Sequence, residues 1–303
     1  NYRRPSYTRC ADLIDRSLTH YAENDPRYIQ MLVEKAEALR WSGNFVRAEA
    51  IADGALSLAR KQNMKSLIGA SLRVLAPIYL HQGKFSDASI ASEEGVQIFR
   101  ELDDKDSEAS LLNARAATLY IVGDEEEAVI YWNRALALYQ ETNNTRRIPF
   151  VRVSLAHMQV RTGNYQDALN ILDETLEMVE SDENLRYSIF VRKCDPAIRM
   201  KQESVTNTLR DLIDELIEKG MMPIALFGIA TFSIAFIQDN QFETAAKLMG
   251  YAKTHPASGG QAAYIIGDNK PAIVGAIGDS QFLQFYDQGA QLSLEEALKL
   301  LTK

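Results

Sequence analysis

Apolar and small side chains recur along this chain with a fixed period. Glycine stands at Gly43, Gly83, Gly123 and Gly163, each 40 residues after the last. Alanine occupies the position seven before each glycine (Ala36, Ala76, Ala116, Ala156) and the position five after it (Ala48, Ala88, Ala128, Ala168). Twelve after each glycine stand Ala55, Gly95, Ala135 and Thr175. A small side chain in mid-helix lets a neighbouring helix approach closely, and a glycine that ends one helix supplies the left-handed turn into the next. The pattern predicts a helix, a tight turn and a second helix in each unit. Asn240-Gln241-Phe242, with Ser233, Ala245 and Ala252 at the same offsets, predicts a further unit whose turn carries asparagine. The 77 residues between 163 and 240 leave room for one degenerate unit, with helices expected near 184–199 and 203–219. Six units are thus expected over residues 25–254, preceded by a capping helix around 6–22 within residues 1–24.

The pattern breaks after residue 254. His255-Pro256-Ala257-Ser258-Gly259-Gly260 is one breaker cluster and Gly267-Asp268-Asn269-Lys270-Pro271 a second, so 255–271 is expected to be loop. Helical pattern returns at 272–288 and again from the capping signal Ser293-Leu294-Glu295-Glu296, which makes residues 255–303 a loop followed by a C-terminal helical cap. Met221 to Ile237 runs 17 residues without a charge, close to the ~20 apolar residues that span a bilayer. Its register on the landmarks at 233 and 240 reads instead as the first helix of the sixth unit, and no membrane is expected as a partner.

Composition agrees with a folded, mostly helical chain: 16 glycines and 8 prolines are few turn-formers for 303 residues, with 46% apolar and 24% charged side chains. Cys10 and Cys194 match no metal or redox spacing, and a reducing, cytoplasmic setting is the expectation. The balance of 33 basic against 41 acidic side chains, a net charge of −8, opposes a nucleic-acid or anionic-membrane surface. The one basic cluster, Arg3, Arg4 and Arg9, is short and terminal. Without an initiator methionine or the start of a signal peptide, residue 1 reads as an internal cut in a longer polypeptide.

The motifs of enzyme chemistry are missing. The Gly-Lys pair Gly83-Lys84 falls in a repeat turn and belongs to no phosphate-binding loop, and neither a nucleophile elbow nor a dinucleotide fingerprint occurs. His20, His81, His157 and His255 lack metal-ligand spacing. Asp103, Asp104 and Asp106 lack the glycine and terminal glutamate of a calcium loop, and Asp106-Ser107-Glu108 reads as a helix start. Asn143-Asn144-Thr145 reads as a turn between units. No catalytic residue, metal or cofactor is expected.

The stretches Gly43-Asn44-Phe45-Val46-Arg47-Ala48-Glu49-Ala50 and Gly163-Asn164-Tyr165-Gln166-Asp167-Ala168-Leu169 resemble the tetratricopeptide repeat (TPR), here in a long, 40-residue form. Glu125 departs from it where an aromatic is usual. The resemblance implies an all-α, right-handed superhelix of antiparallel helix pairs whose first helices line a concave groove. It places ligand contacts thirteen, ten, six, three and two residues before each turn, and transferred to this sequence these include Glu37, Trp41, Arg73, Asn113, Tyr120, His157 and Arg161. In the sixth unit the same offsets give Phe227, Ala230, Ile234, Ile237 and Gln238, an apolar stretch that either the tail covers or a homodimer or effector-docking face at Phe227, Ile234 and Ile237 uses. The tail, from Ala245-Ala246-Lys247-Leu248-Met249-Gly250 through Ala276-Ile277-Gly278-Asp279-Ser280-Gln281-Phe282 to Tyr286-Asp287-Gln288-Gly289-Ala290, resembles the C-terminus of large bacterial signalling ATPases of the STAND class. That resemblance implies a regulatory sensor. It would bind a protein, a peptide or a small signal in its groove and control an effector or ATPase domain elsewhere in the parent chain. A free-standing scaffold bridging two proteins, or a non-catalytic piece of a signalling kinase or nucleotide cyclase, are the alternatives.

Overall fold

The computed structural model describes residues 4–301 apart from Glu180, Glu203 and Gly259. Of the basic cluster, Arg3 lies outside the described residues, as does Gly259 of the first breaker cluster. All regular structure among the described residues is helical. A leading helix α1 (Arg4–Leu18) precedes six pairs: α2 (Pro26–Trp41) with α3 (Phe45–Lys61), α4 (Lys65–His81) with α5 (Phe85–Glu101), α6 (Lys105–Val122) with α7 (Glu125–Glu141), α8 (Ile148–Arg161) with α9 (Tyr165–Glu177), α10 (Glu183–Arg199) with α11 (Val205–Glu218), and α12 (Met222–Gln238) with α13 (Phe242–Thr254). Three tail helices follow, α14 (Gly260–Ile277), α15 (Asp279–Ala290) and α16 (Leu294–Leu300). The chain divides into two compact units, one up to Val151 and one from Arg152 onward.

Each pair closes as its residues dictate. Gly43, Gly83, Gly123 and Gly163 take φ of 85°, 75°, 99° and 82°, and Asn240 takes 58° in the same role. The amide one residue beyond each turns back to the carbonyl five positions earlier, as Asn44 N does to Leu39 O at 2.9 Å, which satisfies a carbonyl the helix end would orphan. A second period lies at the far end of the first three pairs. Asn63, Asp103 and Asn143 adopt φ of 54°, 54° and 55°, because short polar side chains tolerate the left-handed region best after glycine. Asn143 is therefore a turn residue, and α6 starts from Asp104, whose carboxylate accepts from Ser107 N at 3.0 Å.

In the first unit, Ala36, Ala48, Ala55 and Ala59 are completely buried where α2, α3 and α4 meet. Gly95 on α5 stands where a Cβ would meet Leu111 Cδ1 at 2.5 Å, so the small-residue offset marks a real close approach. In the second unit the core gathers around α12, whose residues from Ile224 to Phe236 are all buried. No helix among the described residues is long and apolar enough to cross a membrane.

The tail corrects one expectation. Residues 260–271, read as loop, are the first two-thirds of α14, which carries Gly267 and Pro271 inside it. A proline within a helix disfavours it by about 3 kcal/mol, but Ala262, Ile265, Ile266, Asn269 and Ile273 are buried on one face at helical spacing and bury enough apolar area to outweigh that. Asn269 adds a donation from its amide to Ile265 O at 2.8 Å. Beyond it, α15 crosses α13 at two glycines. A Cβ on Gly250 would lie 2.0 Å from Tyr286 O, and one on Gly289 2.0 Å from Lys247 O.

Candidate functional site

In the first unit, α2 and α4 bring Glu37, Arg40, Trp41 and Arg73 together. Glu37 Oε1 lies 3.5 Å from Arg40 Nη2 and its Oε2 3.3 Å from Arg73 Nη2. Burial alone would raise the Glu37 pKa, but Arg73, Arg40, Trp41 and more distant Arg147 together hold it below the usual carboxylate range. Arg40 is the mirror case: burial lowers its pKa and Glu37 opposes that only in part. Two guanidinium groups thus share one carboxylate, and Arg40 Nε is buried without an acceptor among the described residues. The Arg40 guanidinium stacks 4.3 Å over the Trp41 ring, which also stacks with Tyr7 of α1 at 6.3 Å and remains 44% exposed, leaving part of an aromatic ring beside a positive recess.

Asn113 and Tyr120 are held differently. Asn113 Oδ1 accepts from Trp132 Nε1 at 3.1 Å, and the buried Tyr120 ring lies 6.1 Å from the same indole. Both therefore fasten α6 to α7.

In the second unit the chain meets its own groove positions. Asp268 on α14 places Oδ2 3.1 Å from His157 Nε2 and Oδ1 2.7 Å from Arg161 Nη1. The fifth pair turns at Lys201, φ 54°, so its thirteenth, sixth and second preceding residues are Ser188, Asp195 and Arg199. Gln261 Nε2 donates to Ser188 Oγ at 2.9 Å, and Arg199 Nη2 donates to Asn269 Oδ1 at 2.9 Å while its Nε donates to Asp195 at 2.5 Å. Arg192 stacks 5.0 Å over Phe227, and burial pushes its pKa down to about 10.

The apolar positions of the sixth pair are covered too. Phe227 and Ile234 are 1% and 2% exposed, in a core shared with Ile265, Ile266 and Ile273 of α14, and Ile237 is half-buried against that core. The face expected as a free dimer or effector surface at Phe227, Ile234 and Ile237 is therefore interior, because α14 lies on it. Sequence reasoning missed Gln261, Asp268 and Asn269 because glycine and proline mark their helix as a break. It missed Ser188, Asp195 and Arg199 because a lysine stands where the other turns carry glycine or asparagine. Among the described residues no three His, Cys, Asp or Glu side chains gather as a metal site.

Helix pairs with small residues at their crossings and left-handed turns every 40 residues define a repeat, and the family comparison names it. Residues 107–181 match the tetratricopeptide repeat family. The TPR architecture extends well past that stretch. BtubC (BKLC) from P. vanneervenii superposes with a TM-score of 0.55 at 18% identity, covering 73% of this chain and 91% of that one. The nearly identical TPR-like repeats of a Podospora anserina protein described as a kinesin light chain superpose with a TM-score of 0.52 at 16% identity, covering 64% of this chain and 96% of that one. At such identities the likeness is one of fold. No curated protein matches the chain in sequence. TPR folds bind protein partners as a rule.

Proposed function

We propose that this chain is a regulatory binding module whose first unit takes an acidic peptide or protein segment on the concave face of its TPR pairs, and that occupancy there restrains or releases an effector elsewhere in the same polypeptide. The observation that carries the reading is the Glu37–Arg40–Arg73 cluster with Trp41 beside it. Its positive charge exceeds its negative charge, and the buried Arg40 Nε still lacks an acceptor. A carboxylate entering there gains charge-assisted hydrogen bonds, and an apolar side chain beside it gains the Trp41 face. The second unit supplies a precedent within the chain, since Asp268 is held by a histidine and an arginine at corresponding positions. His157 and Arg161 are then engaged by α14, Asn113 and Tyr120 by Trp132, and the ligand-binding role falls to Glu37, Trp41 and Arg73.

The test is calorimetric titration of the full chain with acidic, neutral and basic decapeptides of matched length, each carrying one tryptophan. The acidic peptide should bind best, and Arg73→Ala should weaken it by about 1–3 kcal/mol, with circular dichroism at the titration temperature checking that the variant is folded. Equal affinity for the acidic and basic peptides, or no loss in the variant, would reject this site.

A further inference from the structure

The fifth pair, α10 with α11, is splayed: its helices touch over a shorter stretch than those of the first, second, third and sixth pairs. The connection differs with it. Where α3, α5, α7, α9 and α13 start two residues after their turn residue, α11 starts four after Lys201, and Ser204 takes a second left-handed conformation at φ 65°. Leu209, Ile213 and Leu216 of α11 are completely buried. A Cβ on Gly228 of α12 would lie 2.8 Å from Ile213 Cγ1, so α11 packs closely on α12 and leaves α10.

What remains between the two helices is a cavity of about 580 Å³, within the ~300–1,000 Å³ range of small-molecule sites. Its floor is apolar, formed by Tyr187, Phe190, Cys194 and Leu212. Burial pushes the Cys194 thiol up to about 12, so it contributes a neutral wall. The rim is acidic. Glu183 and Glu215 share Lys219 at 3.2 and 3.9 Å, and Glu215 also accepts from the Tyr187 hydroxyl. Asp211, exposed at the mouth, has no ion pair among the described residues. Three carboxylates thus stand against Arg186 and Lys219, and the balance at the opening is negative.

We propose that this cavity is a small-molecule site for an aromatic amine, with the ring on Tyr187, Phe190 and Leu212 and the ammonium at Asp211. Its lining residues all belong to the second unit, so a signal taken here would act on that unit. It lies where α11 packs on α12 in preference to α10.

Tryptamine and indole-3-acetate share a ring and carry opposite charges, which makes them the test pair for calorimetry on the full chain. Tryptamine should bind about tenfold tighter than the acid, and Asp211→Asn should remove most of that preference while leaving the fold intact. Leu212→Trp should fill the cavity and abolish tryptamine binding, with circular dichroism and the thermal midpoint checking that the variant folds. Failure of tryptamine to saturate the wild-type chain, equal or tighter binding of indole-3-acetate, or a tryptamine affinity unchanged by Asp211→Asn would each overturn the proposal.

Discussion

Glu37 shows how far one side chain can be committed by its neighbours. Burial raises its pKa, while Arg73, Arg40, Trp41 and Arg147 lower it further than burial raises it. A carboxylate whose folded pKa is depressed supplies stability that is fully present above its unfolded value, about 4.3 for glutamate, and lost as pH falls through the lower folded value. Glu37→Gln should therefore destabilise the chain at neutral pH by about 1–3 kcal/mol, since it leaves Arg40 and Arg73 without their shared acceptor. The difference between variant and wild type should shrink as acid protonates Glu37. Urea midpoints measured from pH 7 down to acid conditions check this, and a gap constant across the series would mean that the carboxylate charge is not what holds the cluster. The individual site residues were legible to different degrees. Glu37, Trp41 and Arg73 could be placed from offsets alone because glycine marks the turns of their pairs. The sharing of Glu37 between Arg40 and Arg73, and the diversion of Asn113 and Tyr120 into a contact with Trp132, depend on side-chain directions that no spacing encodes.

At the scale of elements, the fold rests on where helices may touch. The 40-residue period was readable because close approach tolerates only small side chains, and the left-handed turns of the first four pairs fall on it. The fifth pair was hard to read for the same physical reason: Lys201 pays the steric cost of a left-handed turn that glycine avoids, so its landmark disappears from the sequence. Helix α14 was hidden in the opposite way, since Gly267 and Pro271 oppose a helix locally and only the burial of Ile265, Ile266 and Ile273 favours it. The crossing of α13 and α15 gives the sharpest test of this scale. Gly250→Ala forces a methyl to within 2.0 Å of a backbone oxygen, which a side-chain shift cannot relieve. Its loss of stability should reach or exceed the about 1–3 kcal/mol usual for overpacking. Gly54→Ala is the control. Gly54 lies in α3 with nothing within 4 Å of an added Cβ, so this change should stabilise by about 0.5–1 kcal/mol. Chemical denaturation of both variants decides the matter, and equal midpoints would show that α13 and α15 do not approach as described.

For the molecule as a whole, α14 determines which faces of the second unit solvent meets. Removing residues 260–303 should uncover Phe227 and Ile234, increase the fluorescence of a hydrophobic dye and lower the thermal midpoint. A truncated chain as stable and as dye-silent as the full one would show that the tail does not cap the core. The same helix also carries information. Its Asp268 satisfies one histidine and one arginine, its Asn269 a second arginine, and Gln261 a serine two turns earlier, each partner standing where the repeat offers ligand contacts. A folded copy of this chain thus holds a written specimen of what its grooves accept: a helix with an amide, then two turns on an adjacent acid and amide, and aliphatic residues between. Searching a proteome for that spelling turns a question about an unknown ligand into a query with residues in it.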